Sequence, residues 1–280
     1  MNVWRWIEGG PDAGATQMAT DRAVLENAIE FGKPTMRVYR WEPYCISLGF
    51  HQYLENIDLD RCLEEGVDVV RRPTGGRAVF HAEEVTYSVV IPEGSNYYSQ
   101  SIAEVYHLIS RGLVRGILKL GVPAELQRRS LDYRSHYRTS LSMNCFSVAA
   151  RNEIIVDGKK LVGSAQRRLS CGVLQHGSIL TGDAHLNLPE YLKGVGPREK
   201  RGMRKMIEER TVSINGYLGE EVDYGDVVAA VRDGMEQEIS IRFEEGELTF
   251  FERERARFLR RNFSVFSGRM IPLPEDASGY

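Results

Sequence analysis

The 280-residue chain lacks several features that would assign it to a special class of protein. No apolar run approaches the roughly 20 residues that a membrane-spanning helix needs, and residues 1–8 have neither the basic start nor the long apolar core of a signal peptide. The net charge is only -3, from 36 basic and 39 acidic residues, which gives no overall attraction for nucleic acid. We therefore expect a cytoplasmic protein that binds neither membranes nor nucleic acid.

Cysteine is scarce and scattered along the chain. The four cysteines are Cys45, Cys62, Cys145 and Cys171. They form no CxxC pair and no compact cluster with histidine, so their spacing argues against a structural zinc site. In a reducing compartment we expect thiols, most of them buried and inert. No metal site is predicted, and at most one or two of these residues need a chemical explanation.

The composition is that of an ordinary globular protein, with 42% hydrophobic and 27% charged residues. Helical periodicity predicts helices over residues 15–31, 101–120, 224–239 and 250–263. Runs of β-branched and aromatic residues predict strands over residues 35–41, 45–49 and 173–180. The dipeptide Asp157-Gly158 is typical of a tight hairpin turn. These elements predict an α+β fold, a mixed or antiparallel sheet packed with helices.

The most informative segment is RRPTGGRAVFH, residues 71–81, which lies between two predicted strands. Gly75 and Gly76 let the backbone turn tightly and approach a ligand where a side chain would clash. Three arginines flank these glycines, Arg71, Arg72 and Arg77. Their guanidinium groups carry a fixed positive charge and can donate two parallel hydrogen bonds to a ligand. The pattern fits a pocket for an elongated ligand with an anionic or polarised carbonyl end. It fits equally an ordinary hairpin turn with solvated arginines.

Two further sequence blocks follow this segment. One contains Cys145-Phe146 and then EIIVDGKKLVGSAQ at residues 153–166, and the other is LQHGSIL at residues 174–180. The order and spacing of the three blocks, across roughly residues 1–220, resemble the biotin/lipoate protein ligase superfamily in its lipoate-ligase and octanoyltransferase branch. The resemblance implies a ligase-like catalytic domain over residues 1–215 and a small, mostly helical C-terminal extension over residues 216–280.

The resemblance also implies a substrate site assembled from the first block and from parts of the other two. Its implied residues are Arg72, Gly75, Gly76, Arg77, Ala78, Val79, Phe80, His81, Gly163, Ser164, Ala165, His176 and Gly177. Three of these are small enough to leave room for an acyl chain between strands, namely Gly163, Ser164 and Ala165.

Cys145 and Lys160 are the implied catalytic pair. On residue type alone, a cysteine followed by Phe146 is more often a structural thiol. At its distance from the Gly-Lys-Lys hairpin, however, Cys145 is similar to the nucleophile of octanoyl-acyl-carrier-protein:protein octanoyltransferases, which hold the acyl group as a thioester while a lysine corresponding to Lys160 assists. A nearby ammonium favours the thiolate of a thiol whose usual pKa is about 8.5. Alternation along a strand places Lys159 and Lys160 on opposite sides, and we expect Lys160 to face inward.

The implied reaction moves an octanoyl group from acyl carrier protein to an acceptor lysine of the glycine-cleavage H protein or of a lipoyl domain of a 2-oxoacid dehydrogenase, and it requires no cofactor. Three alternatives remain. One is a lipoate–protein ligase that uses ATP and Mg to form lipoyl-adenylate, another is a lipoyl amidotransferase, and the last is a non-enzymatic binding protein with a ligase-like fold. Ligases tend to have a third glycine where this chain has Arg77, and they generally lack Cys145, so both residues favour the transferase.

The base that deprotonates the acceptor lysine is not fixed by the pattern. His81 and His176 are candidates, although a strand histidine hydrogen-bonded in the core is the commoner situation. The family usually has an acidic residue after the motif histidine, and this chain has Ala82 there. Any role of that carboxylate would have to pass to Glu83 or Glu84.

Overall fold

The computed structural model describes residues 2–99, 101–127 and 153–267 of the chain. The α-helices are α1 (Gly14–Glu26), α2 (Ala28–Phe31), α3 (Leu59–Glu64), α4 (Ile102–Lys119), α5 (Pro197–Arg210), α6 (Ile214–Leu218), α7 (Tyr224–Ile239) and α8 (Phe250–Leu259). The strands are β1 (Asn2–Asp12), β2 (Thr35–Trp41), β3 (Cys45–Leu48), β4 (Asp68–Arg71), β5 (Val79–His81), β6 (Glu84–Pro92), β7 (Glu125–Leu126), β8 (Ile154–Val156), β9 (Lys159–Leu169), β10 (Gly172–Leu180) and β11 (Ile241–Glu245).

Eight of these strands form one large sheet in the order β11-β1-β2-β6-β10-β9-β8-β7. Strand β1 pairs in parallel with β11 and β2, whereas the remaining pairs are antiparallel. The predicted mixed sheet is therefore confirmed. The hairpin between β8 and β9 turns at Asp157 and Gly158, which both have positive φ, 50° and 77°, as a two-residue hairpin loop requires.

Helices cover both faces of the large sheet. Helices α4 and α7 pack together over the main apolar core, and they approach closely because glycines meet at the crossing: a Cβ on Gly234 would lie 2.1 Å from the backbone nitrogen of Gly116. Helix α1 packs against α8 and contacts β2, β6 and β10. The single helix predicted over residues 15–31 is in fact two helices, α1 and α2, because the backbone leaves the helical region at Asn27.

A second, three-stranded sheet carries the glycine-rich segment. Its order is β4-β3-β5, with β3 parallel to β4 and antiparallel to β5. It packs on an apolar cluster of its own that includes Ile46, Phe80 and Tyr191. The loop between β4 and β5 is thereby fixed at both ends beside the large sheet.

The chain after residue 215 shares the core of the preceding part. Strand β11 pairs with β1, and Val227, Val231 and Met235 of α7 are buried in the main apolar core. The division at residues 215 and 216 stays a prediction. None of the helices within the described ranges combines the length and the apolarity that a membrane crossing needs.

Candidate active site

The two adjacent arginines of the glycine-rich segment hold the loop in place. Arg72 is buried, and its guanidinium donates to the carbonyl oxygens of Ser47 (2.9 Å), Gly75 (2.8 Å) and Arg77 (2.7 Å). Arg71 donates to the carbonyl of Phe50 at 3.0 Å. We expected fixed positive charge presented to a ligand. Much of the donor capacity of both side chains is instead used on backbone carbonyls. Most of these carbonyls lie in loops without strand pairing, so side chains have to provide their hydrogen-bond donors.

The paired glycines differ in what surrounds them. Gly76 has φ 96°, a conformation that favours glycine, and its carbonyl oxygen would lie 1.9 Å from a Cβ at Gly49. A Cβ on Gly75, in contrast, would meet nothing within 4 Å. Gly75 therefore faces open space at the tip of a loop whose other parts are tightly packed.

A cleft lies beside this loop, between the small sheet and the middle of the large one. It brings together eight residues predicted for the substrate site: Arg72, Val79, His81, Gly163, Ser164, Ala165, His176 and Gly177. Its enclosed part is narrow, about 30 Å³, which is room for about two water molecules. A larger ligand therefore has to extend through the open mouth of the cleft or displace side chains.

Two predicted residues of the segment have side chains on the other side of β5. Ala78 and Phe80 are buried in the second apolar cluster, and Phe80 stacks on Tyr191 with ring centroids 5.3 Å apart. Val79 and His81 face the cleft because successive side chains of a strand alternate.

Sequence reasoning missed several residues that line the cleft, and these are Met18, Tyr39, Trp41, Ser47, Thr86 and Ser178. Their positions depend on strand register. Ser178 pairs with Thr86 across β10 and β6, so both reach the same face as His176, two residues away. A sequence signal existed only for Ser178, which lies in the block at residues 174–180.

His81 is held by a carboxylate that does not follow it directly in sequence. Its Nδ1 lies 2.8 Å from Oε1 of Glu84, its Nε2 lies 2.7 Å from Oγ of Ser47, and its ring stacks on Trp41 at 4.2 Å. Burial opposes ionisation of Glu84, yet the nearby His81 keeps the pKa of this carboxyl below its usual value. Glu84 thus supplies the acidic partner that Ala82 cannot provide.

His176 has a second buried carboxylate as its partner. Its Nδ1 lies 3.3 Å from Oδ2 of Asp21, and its Nε2 lies 2.6 Å from the hydroxyl of Thr74 in the glycine-rich loop. Burial lowers the pKa of His176 despite the carboxylate. His176 therefore connects the loop to the buried network around Asp21.

Lys160 faces inward, as we expected, and alternation along β9 turns Lys159 to the other side. Its side chain is 2% exposed, and its Nζ lies 2.6 Å from Oε1 of Glu153, whereas Lys159 is exposed. Gly163, at the edge of the cleft, is three residues further along the strand, a distance of about 10 Å. Cys145, the other half of the predicted catalytic pair, lies outside the described residues.

The described residues contain no group of three His, Cys, Asp or Glu side chains placed to hold a metal ion. Among the cysteines in the described ranges, Cys45 and Cys62 are buried. Burial raises the pKa of Cys62 to about 12 and that of Cys45 well above its usual value, so both thiols stay protonated and unreactive. Cys171 is half-buried.

Gly177 permits the strand pairing at the floor of the cleft. A Cβ there would lie 2.4 Å from the carbonyl oxygen of Gly163 and 2.9 Å from both Oγ of Ser164 and Cε1 of Tyr87. We expect Gly177→Ala to lower the free energy of unfolding by about 1–3 kcal/mol, as overpacking does. Gly75→Ala is the matched control, since its added methyl group meets open space. Equal stability of the two variants in urea unfolding would contradict this account.

Known proteins match this chain over most of its length. The family model described as the lipoyl protein ligase A/B catalytic domain matches residues 13–236. Among curated proteins, Octanoyltransferase LipM of Kyrpidia tusciae is 39% identical over 266 residues, which cover 94% of this chain and 97% of that protein. Octanoyltransferase LipM of Clostridioides difficile is 37% identical, with 91% of this chain and 93% of that protein covered.

Solved structures agree at the level of the fold. A bipartite lipoate protein ligase from Thermoplasma acidophilum has a TM-score of 0.75 at 22% identity, with 93% of this chain and 92% of that chain covered. A lipoate-protein ligase A bound with ATP has a TM-score of 0.73 at 24% identity, with coverage of 93% and 94%. Because the family model spans most of the chain and relatives match over nearly their full length, the chain belongs to the lipoyl protein ligase A/B catalytic domain family.

Proposed function

We propose that this protein is an octanoyltransferase of the protein lipoylation pathway. The observation that carries the proposal is the match to relatives named Octanoyltransferase LipM, which are 34–39% identical over most of both chains. The donor is octanoyl-acyl carrier protein, and the acceptor is a lysine of the glycine-cleavage H protein or of a lipoyl domain.

The chemistry consists of two acyl transfers through Cys145. In the first, the Cys145 thiolate attacks the thioester carbonyl of the donor, a new thioester forms on the enzyme, and the carrier leaves as a thiolate that takes up a proton. In the second, the neutral amine of the acceptor lysine attacks this thioester. The amide forms, the carbon–sulfur bond breaks, and the proton lost by the amine returns to Cys145. Since one thioester replaces another and an amide is more stable than either, no ATP and no metal are required.

Lys160 is the proposed assisting group. It is a buried cation on the strand that continues into the small residues of the cleft, and Gly163, Ser164 and Ala165 line that cleft. An ammonium near the nucleophile favours the thiolate. It also stabilises the oxyanion that develops on the acyl carbonyl.

A lipoate–protein ligase is the principal alternative, and it would consume ATP with Mg to make an acyl-adenylate. Arg77 and Cys145 favour the transferase, because the first adds bulk and charge where ligases tend to have a third glycine and the second supplies a nucleophile. A lipoyl amidotransferase would share the cysteine–lysine chemistry and differ only in its donor.

The test is intact-protein mass spectrometry after the chain is mixed with octanoyl-acyl carrier protein in the absence of ATP. We expect an adduct with the mass of one octanoyl group, which disappears when unmodified H protein is added and reappears as octanoyl-H protein. An adduct formed only from an octanoylated H protein would identify an amidotransferase. Absence of any adduct, together with modification of the H protein by lipoate and ATP, would establish a ligase.

A further inference from the structure

A second cavity, with a volume of about 890 Å³, adjoins the cleft. Trp41 lines both. The cavity is formed by the end of β2, the start of β6, the end of β10 and the region of α6 and α7. None of the roles proposed above uses it.

This cavity lies at the end of the large sheet where β9 begins, at Lys159 and Lys160. Ile179 pairs with Val162, and continuing this register by two residues brings Thr181, which lines the cavity, level with Lys160. The segment at residues 212–215 is hydrogen-bonded to both Lys160 and Thr181. The amide of Val212 donates to the carbonyl of Lys160 at 3.1 Å, and the amide of Asn215 donates to the carbonyl of Thr181 at 3.1 Å. Thr181 on the cavity wall is therefore linked through the neighbouring backbone to the proposed catalytic lysine, which does not itself line the cavity.

The lining of the cavity is strongly acidic. It contains four carboxylates and one guanidinium, on Glu42, Glu83, Glu84, Glu221 and Arg40. Arg40 lies over the ring of Tyr224, 4.5 Å from its centroid. A concave surface with this excess of one sign attracts ligands of the opposite charge.

Glu84 gives the cavity an unsatisfied acceptor. Its side chain is buried, and its Oε1 receives hydrogen bonds from His81, Ser178 and Trp41. Its Oε2 is buried without a hydrogen-bond partner among the described residues, as is the hydroxyl of Tyr224 on the cavity wall. Buried polar atoms are nearly always paired, and an exception points to a missing ligand, ion or water.

We infer that this cavity receives the side chain of the acceptor lysine, an inference that rests on the proposed function. A lysine suits each feature of the site. Its ammonium is a compact cation with three donors for the acidic lining and for Oε2 of Glu84. Its alkyl stem packs on apolar surface, which Trp41, Pro43 and Tyr44 provide along the cavity wall. The acceptor lysine thus enters by a cavity distinct from the cleft beside the glycine-rich loop.

The test separates the two half-reactions and compares two pairs of charge reversals. In the first pair, Glu42→Lys with Glu221→Lys, both residues are exposed at the cavity. In the control pair, Glu30→Lys with Glu125→Lys, the residues are also exposed, lie on α2 and β7 away from the cavity, and change the net charge equally. Acylation by octanoyl-acyl carrier protein is measured first, and transfer to unmodified H protein is then measured against H-protein concentration.

We expect all variants to form the acyl-enzyme at the wild-type rate. The KM for H protein should rise about fivefold or more in the cavity pair, because attraction becomes repulsion, and should stay within about twofold in the control pair. Equal KM values in the two pairs overturn the inference while acylation upholds the proposed function. Failure of the wild type to form any acyl-enzyme overturns both.

A small probe tests the inner end of the cavity separately. Nα-acetyl-lysine amide carries the reactive side chain without a protein surface. We expect Glu84→Gln, which keeps an acceptor at Oε1, to raise the KM for this probe about tenfold, the effect of losing one strong charge-assisted contact, in protein whose circular dichroism matches the wild type. A KM for the probe that is unchanged in folded Glu84→Gln contradicts the inference.

Discussion

Replacing Cys145 by alanine should abolish the octanoyl adduct and with it all transfer to the H protein. Cys45 and Cys62 are poor rivals, because their thiols are buried and have raised pKa values. Mass spectrometry of the intact protein after incubation with octanoyl-acyl carrier protein measures the effect. Cys171→Ala is the matched control and should acylate as the wild type does. The reverse result, an adduct kept in Cys145→Ala and lost in Cys171→Ala, would transfer the nucleophile to Cys171.

The acylation experiment also distinguishes Lys160 from Lys159, whose side chains point to opposite sides of β9. Lys160 is buried beside Glu153, whereas Lys159 is exposed and its Nζ lies 3.2 Å from the carbonyl oxygen of Glu208. We expect Lys160→Ala to slow acylation strongly and to raise the pH at which Cys145 is half-alkylated by iodoacetamide, towards the ordinary thiol value of about 8.5. Lys159→Ala should change neither. An unchanged alkylation profile in Lys160→Ala would remove the role proposed for this ammonium.

The sequence predicted the parts of this site that depend on local pattern. Alternation predicted that Lys159 and Lys160 face opposite sides, and the Asp157-Gly158 dipeptide predicted the hairpin that starts β9, because both signals depend only on near neighbours. The choice of Lys160 as the inward one came from the family pattern. The block pattern assigned His81 and His176 to one site, and both line the same cleft. Their role in a substrate site stays a prediction that rests on the family resemblance, since the two histidines belong to different sheets.

The other features of the site depend on pairing between strands that are distant in sequence, and no local sequence pattern predicts this pairing. Trp41 lines the cleft because β2 pairs with β6, and Glu84 reaches His81 because of the turn between β5 and β6. The family resemblance implies that Arg72 binds substrate, and this role stays a prediction. Its guanidinium donates to backbone carbonyls in and beside the loop. Loop carbonyls without a strand partner need a side-chain donor, a requirement that can be recognised only in the folded backbone.

The buried network around Asp21 joins helix α1 to the sheet beneath the cleft. Asp21 is fully buried and pairs with Arg37, and its carboxylate also accepts hydrogen bonds from the hydroxyl of Tyr39 at 2.9 Å and the hydroxyl of Ser88 at 2.7 Å. Burial would raise the pKa of Asp21, but Arg37 and His176 together hold it below the usual value. The folded state therefore contains the ionised carboxylate.

Removing this charge should cause the largest loss of stability among the substitutions considered. We expect Asp21→Asn to lower the free energy of unfolding by about 3–5 kcal/mol at pH 7, because Arg37 stays buried without its anionic partner. The exposed pair between Lys119 and Asp233, 3.1 Å apart, is the control, and Asp233→Asn should cost less than about 1 kcal/mol. Because the folded pKa of Asp21 is lowered, its contribution is complete above roughly pH 5 and is lost as the pH falls below about 4. The difference between wild type and Asp21→Asn in urea unfolding should therefore shrink under acid conditions, and a difference at pH 7 no larger than that of Asp233→Asn would show that the network does not stabilise the fold.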